Sequence, residues 1–420
     1  LGVDDDLLAR ARALDAADPL ARFRDRFVIA DPDLIYLDGN SLGRLPVATR
    51  DRLRRAVEAE WGGDLIRGWD RWITLAREAG DVLATGVLDA VPGEVVLSDS
   101  TSVNLFKLAS AACDARPGRS VIVTDDDNFP TDQYVLQGLA AARGMAVRTV
   151  KTDIDLGVSL DAVREALGPD VALVSLSHVA YRSGAIADLV GITAAAHDAG
   201  ALTLWDLSHS AGSVPVPLRA AHADLAVGCT YKHLNAGPGA PAFVYVRRDL
   251  QAELRQPIWG WFGQRDQFAM ANAYDPVETV DRFLVGTPPV LGGYAALEGA
   301  RLTAAAGIDA IAAKGGALGA YAITLVDAWL APYGLALASP RDDARRGAHV
   351  ALHHPRAWQI CQAWKAARVI PDFRTPDRLR IGLAPLYTRF VDVYEGFRRL
   401  REILSSSAHL AYPEERSRVT

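Results

Sequence analysis

Residues 171–210 read VALVSLSHVAYRSGAIADLVGITAAAHDAGALTLWDLSHS. An apolar run, Val171 to Ser175, opens the stretch, and a second, Leu202 to Trp205, nearly closes it. Between them, 189–199 carries a helix-like pattern, and Gly200 is placed to stop it. Strand, crossover helix and strand form the unit of a parallel sheet. Apolar runs without alternation imply strands buried on both faces.

The same rhythm extends over about residues 94–250. Further strands are expected at 95–97, 120–123, 146–150, 225–227 and 242–246, with helices at 101–115, 131–143 and 159–167. No helix separates 225–227 from 242–246, so the last strand is expected to run antiparallel. The chain therefore reads as an α/β protein with a mostly parallel central sheet flanked by helices. Beyond residue 290 the pattern changes. Ala-rich helices are expected at 292–313 and 317–331, short strands near 348–353 and 378–383, and a last helix over 388–406. This predicts a smaller α+β domain over 290–420 that includes the N-terminal segment 1–50, beside a large domain over 51–289. The last dozen residues are polar and read as disordered.

Composition excludes several classes. The 420 residues are 50% apolar, with net charge −6 and no basic stripe, which disfavours nucleic acid and anionic membranes. No apolar run approaches the roughly 20 residues of a membrane span. The start, Leu1 to Asp6, is acidic, lacks a signal-peptide pattern and has no initiator Met, so it reads as processed or truncated. Cys113, Cys229 and Cys361 are far apart and odd in number, which fits a reducing cytoplasm better than a disulfide framework. His353-His354 has no accompanying ligand set for a metal.

Ligands of open α/β sheets bind outside the carboxyl ends of the strands. Thr101 and Ser102 begin a helix there and could seat an anion or simply cap the helix. Phe129 could stack on a planar ring or pack a turn. Asp206 could hold a protonated ring nitrogen or be an ordinary loop carboxylate. His209 could serve catalysis or structure. Lysines narrow the choice, because only five of the 45 cations are lysine: Lys107, Lys151, Lys232, Lys314 and Lys365. Four read as solvent-facing. Lys232 instead follows an apolar strand and Tyr231 and precedes a Gly/Pro-rich loop, a place where an amine can be desolvated and made nucleophilic. A Schiff-base lysine, a pyridinium aspartate, an aromatic stacker and phosphate hydroxyls are the parts of a pyridoxal 5'-phosphate site.

Several segments then carry a family likeness. Tyr36–Gly43 (YLDGNSLG), Phe129–Asp132 (FPTD), Trp205–Ser210 (WDLSHS), Tyr231–Pro241 (YKHLNAGPGAP) and Gly260–Gly263 (GWFG) resemble kynureninase, as do Asp372–Pro376 (DFRTP) and Arg380–Phe390 (RIGLAPLYTRF). The likeness spans essentially the whole chain in order. It implies the pyridoxal-phosphate-dependent transferase fold (fold type I) and a homodimer. The implied reaction is hydrolysis of the Cβ–Cγ bond of L-kynurenine to anthranilate and L-alanine in tryptophan degradation. The resemblance further implies that Lys232 binds the cofactor, Asp206 holds the pyridinium and Phe129 stacks on the ring, with Asp132 nearby. Thr101, Ser102, Ser177, His209 and Tyr231 would surround phosphate and ring. Trp261 and Thr287 would arrive from the neighbouring subunit. Arg380 would clamp the substrate carboxylate, a task that suits its planar fork. Tyr231 would transfer a proton. Trp69, Gly286 and Thr287 resemble the bacterial, kynurenine-preferring pattern, and Asn40 and Ser41 are expected to line the same cleft.

Two rival readings stand beside this one. Gly39-Asn40-Ser41-Leu42-Gly43 fits the G-x-S-x-G nucleophile elbow of serine hydrolases, though Arg44-Leu45-Pro46 delays any helix. An aminotransferase or lyase would use the same Asp206, Lys232 and Arg380. A cysteine desulfurase needs a reactive cysteine on a mobile loop, whereas Cys361 sits in a helical pattern and reads as a core residue.

Overall fold

The computed structural model describes residues 3–415. Its central sheet has seven strands: β1 (Val95–Ser98), β2 (Val121–Asp125), β3 (Ala146–Val150), β4 (Val171–Ser177), β5 (Leu202–Asp206), β6 (Leu225–Gly228) and β7 (Ala242–Val246), in the order β1-β7-β6-β5-β4-β2-β3. β7 pairs antiparallel with both neighbours, and all other pairings are parallel. The 171–210 stretch is thus a β-α-β unit at the middle of the sheet. Every residue of β5, β6 and β7 is buried, as their continuous apolar runs require.

Helices cover the sheet: α1 (Leu75–Gly86), α2 (Thr101–Asp114), α3 (Pro130–Arg143), α4 (Leu160–Ala166) and α5 (Leu189–Asp198). α1 buries Leu75, Ala76, Ala79, Gly80, Leu83 and Ala84, one stripe at helical spacing. α6 (Val290–Ala306) follows and lays Tyr294 to Leu297 and Ala300 on the same core. α7 (Ile308–Leu325) comes next. The break between these two helices falls at Gly307, not near 314–316 as expected. Gly307 has φ +83°, which ends the first helix, whereas Gly315 and Gly316 continue inside the second.

A second core gathers Leu318 to Leu404 with Leu7, Ile35 and Leu37. Its sheet has four antiparallel strands, β8 (Ala336–Leu337), β9 (His349–His353), β10 (Asp372–Arg374) and β11 (Arg378–Gly382), in the order β10-β11-β9-β8. The N-terminus joins this body. Ile35–Tyr36 pairs in parallel with Val369–Ile370, and the helix Val3–Ala16 packs on the last helix, α8 (Phe390–Ser405).

Two lysines differ from expectation. Lys107 and Lys314 are buried rather than solvent-facing. Periodicity alone did not reveal their faces, and each ammonium has a carboxylate partner, Asp99 at 2.6 Å and Asp18 at 2.7 Å. The C-terminal tail is also ordered further than its polarity suggests. Carbonyls of Tyr412 and Glu415 accept from Gln359 and Trp358, while residues 416–420 lie outside the described residues.

α6 also fixes the loop after β6. A Cβ on Gly299 would lie 1.9 Å from the Leu234 carbonyl oxygen. Alanine favours helix by about 1 kcal/mol over glycine, but backbone overlap costs about 1–3 kcal/mol and should win. Gly299→Ala is expected to lower the denaturant midpoint of the apoprotein. A raised midpoint would contradict this packing.

Candidate active site

Carboxyl ends of the parallel strands converge on a cleft lined by Thr101, Ser102, Phe129, Thr131, Asp132, Ser177, Tyr181, Asp206, Ser208, His209, Tyr231 and Lys232. Nine residues singled out from sequence therefore meet in one place. Thr131, Tyr181 and Ser208 are additions. Thr131 and Ser208 lie beside residues already chosen, but Tyr181 lies in the 178–187 connection, which carries no motif.

Lys232 Nζ lies 3.0 Å from His209 Nε2. Burial, and then the positive charges of Lys232 and Arg380, hold the His209 imidazole well below its ordinary pKa. His209 is thus neutral and can accept a hydrogen bond. Asp132 and Asp206 form a second feature. Asp132 is almost fully buried against Asp206, and desolvation plus that negative neighbour push its carboxyl well up. Asp132 is thereby biased toward its protonated form. Asp206 is oriented by the Ser208 N–H, which donates to Oδ1 at 2.8 Å.

Ser100, not Thr101 or Ser102, caps α2: its Oγ accepts from the Val103 N–H. The hydroxyls of Thr101 and Ser102 are therefore not used as the N-cap, at a helix end that favours anions. Asn128 organises the opposite wall. Its Oδ1 accepts from Ser177 Oγ and from the Phe129 N–H, both at 2.8 Å. Phe129 meets Tyr181 edge to face at 5.3 Å, and Lys232 Nζ lies 5.9 Å from the Phe129 ring centre. Burial raises the Tyr231 phenol above its usual range, so it stays protonated at neutral pH.

Arg380 is fully buried beside this cleft. Its Nε donates to Asp372 Oδ2 at 2.9 Å, Nη1 to the Tyr181 carbonyl at 2.5 Å and Nη2 to Ser41 Oγ at 3.0 Å and to Asp372. The fork is already engaged, and Tyr181 connects it to the cavity wall. Ser41 meets a guanidinium and a carboxylate, and the next helix starts only at Val47. The glycines of its motif serve close packing. A Cβ on Gly43 would lie 2.4 Å from the Lys232 carbonyl oxygen, and one on Gly39 2.3 Å from Tyr387 Oη. These contacts account for the G-x-S-x-G pattern without an elbow. Asn40 is buried against Gly382, away from the cleft.

The remaining expected residues do not reach this chain's cleft. Trp69 packs on Trp72 and Phe262. Trp261 is exposed on a short turn near Phe268, and Gly286 and Thr287 are exposed. Cys361 is wholly buried in a helix, and burial pushes its thiol up to about 12, so it is a core residue.

The family comparisons agree with one another. Residues 88–354 match the class-V aminotransferase model, and residues 311–400 match the kynureninase C-terminal domain. A kynureninase of Burkholderia pseudomallei is 44% identical over 406 residues, which is 95% of each chain. The chain belongs to the kynureninase family. A kynureninase of Pseudomonas fluorescens is 43% identical over 93% of this chain and 94% of its own. Among solved structures, a cysteine desulfurase of Thermococcus onnurineus superposes with TM-score 0.80 at 18% identity, over 92% of this chain and 98% of its own. One from Escherichia coli gives 0.77 at 16%, over 92% and 99%. These likenesses establish the fold, that of type I pyridoxal-phosphate enzymes.

His233, also buried behind Lys232, has its pKa pulled down to about 3 by burial and by Lys232 and Arg380. In the unfolded chain it takes a proton near its ordinary value. Its contribution is therefore full above pH 6.5 and is lost as pH falls toward 3. Between pH 7 and 5 the loss is about 2 kcal/mol. His233→Gln is expected to lose about that much less than the unsubstituted apoprotein in urea unfolding at the two pH values. Equal losses would contradict the neutral, buried histidine.

Proposed function

We propose that this protein hydrolyses the Cβ–Cγ bond of L-kynurenine to anthranilate and L-alanine, with pyridoxal 5'-phosphate as cofactor. The observation that carries this reading is the meeting of Lys232, Asp132 and Asp206 in one cleft. The donor set fits the cofactor. Thr101, Ser102 and the first N–H groups of α2 would hold the phosphate, Phe129 would stack on the ring, and Asp206 would hold the ring nitrogen's proton. When bound, pyridoxal phosphate supplies a carbonyl that condenses with amines and a ring that withdraws electrons from the adjoining carbon.

Each residue then has a task. Lys232 carries the proton at the substrate α-carbon, and neutral His209 orients its amine through the 3.0 Å contact. Asp132, pushed toward its protonated form, would leave the ring nitrogen to Asp206. Tyr231 stays protonated and donates at the γ-carbonyl or to the departing carbon while water adds. Arg380 would hold the α-carboxylate, which takes the place of the Ser41 hydroxyl on Nη2, while Asp372 fixes the guanidinium plane.

The reading extends to a homodimer in which Trp261, Gly286 and Thr287 complete the partner's site, with Trp69 against the substrate ring and kynurenine preferred over its 3-hydroxy form. Large apolar side chains left in solvent support it: Trp61, Leu65, Ile66, Trp259, Phe268 and Met270 are each at least 60% exposed. We place the division between the two bodies at 51–289 against 1–50 with 290–420, with α6 crossing onto the large core. Three free, buried cysteines support a cytoplasmic setting within tryptophan degradation and, downstream, NAD biosynthesis.

With cofactor and L-kynurenine, anthranilate fluorescence and alanine should appear together without an oxo-acid acceptor. Dependence on an acceptor would redirect the reading to an aminotransferase. Tyr231→Phe is expected to keep cofactor absorbance but lower kcat by about 10²–10⁴. Full activity would overturn its role.

A further inference from the structure

Lys107 lies two turns into α2 and has no exposed surface. Its side chain runs back toward the helix N-terminus, the direction that helical Cα–Cβ bonds favour. Nζ donates to Ser98 Oγ at 2.7 Å, Asp99 Oδ2 at 2.6 Å and the Phe283 carbonyl at 2.7 Å. An ammonium has three protons, so all are used. Two of the acceptors belong to the turn that joins β1 to α2. The third closes the short helical turn Val280–Phe283, just before the segment that carries Gly286 and Thr287.

The turn is fixed from other directions as well. Asn104 Nδ2 donates to the Ser98 carbonyl at 2.6 Å, and the Ala242 N–H donates to the Asp99 carbonyl at 2.9 Å. Asp99 has φ +40°, a left-handed conformation that persists in a residue with a Cβ only where the surroundings over-determine it. Ser100, the cap, and then Thr101 and Ser102 follow at once. Their direction depends on the path of the chain through this turn. A methionine would fill the volume of Lys107 without the cost of burying a charge. What it could not supply is three directed bonds to one unfavourable turn.

We propose that Lys107 is the positioning residue of the phosphate seat: it holds the Ser98–Ser100 turn so that the Thr101 and Ser102 hydroxyls and the first N–H groups of α2 point into the cleft. It acts through those groups and does not touch the phosphate. The proposal rests on reading the cleft as the pyridoxal-phosphate site, and the experiment separates the two. Apoprotein is titrated with pyridoxal phosphate and with pyridoxal, which lacks the phosphate, and both dissociation constants are read from protein fluorescence.

In Lys107→Met the constant for pyridoxal phosphate should rise at least about tenfold, the equivalent of one hydrogen bond to a charged group, while that for pyridoxal should change less than about twofold. General loosening of the fold would move both constants together. Equal shifts, or none, would overturn the proposal while leaving the cofactor assignment intact. If the unsubstituted protein binds neither compound, both fall. Should Lys107→Met not fold, Ser98→Ala removes one acceptor, and a selective rise of about threefold is expected. An unselective rise, or none, then overturns the proposal.

Discussion

A lysine amine 3.0 Å from a neutral imidazole, at the carboxyl end of a buried parallel sheet, is the constraint on which the rest depends. The amine must be reachable from the cleft yet fixed in direction. A charged His209 would repel it. Burial keeps His209 neutral, and the cations around it add to that effect. At the two aspartates of the cleft the opposite strategy operates. Asp132 and Asp206 are crowded, and burial with that neighbour pushes the Asp132 carboxyl toward its protonated form. The Ser208 N–H aims the Asp206 carboxyl group. The fold brings a lysine, two aspartates and an aromatic side chain to one cavity.

That placement is held by backbone contact more than by side-chain packing. The Lys232 carbonyl and Asn235 leave no room for a Cβ on Gly43, and the Leu234 carbonyl leaves none on Gly299. The loop after β6 is therefore pressed by the N-terminal segment on one side and by α6 on another. Close-packed interiors transmit small displacements, so the lysine is positioned by elements far from it in sequence. Arg380 is positioned in a similar way. Asp372 and the Tyr181 carbonyl hold its guanidinium, and Tyr181 itself faces Phe129 in the cleft. Arg380 is one of several links between the small and large bodies, beside Arg378 on Asp155 and Arg182 on the Thr375 carbonyl.

Much of this was legible in the sequence, for physical reasons. A strand buried on both faces must be a continuous apolar run, which marked the inner strands of the sheet, while the edge strand β3 is partly exposed. Strand ends are where ligands sit in such sheets, so Thr101, Phe129, Asp132, Ser177, Asp206, His209 and Lys232 could be read together. What was hidden depends on tertiary contact. Lys107 looks like any mid-helix lysine until Ser98, Asp99 and Phe283 are seen around it. Asp372 lies eight residues before Arg380, on a neighbouring strand, and no spacing rule announces the pair. Tyr181 sits in a connection without a motif. Gly307 rather than Gly315 ends a helix because only its backbone takes the positive φ. Trp261 and Thr287 could be named but not placed, since a single chain does not bring them to its own cleft.

The scarcity of lysine allows the central claim to be tested directly. Protein reconstituted with pyridoxal phosphate is reduced with borohydride, digested and mapped by mass spectrometry. The account predicts one pyridoxyl-modified residue, Lys232, with the other four lysines unlabelled. Label on Lys107, Lys151, Lys314 or Lys365 instead, or no label after reconstitution, would contradict it.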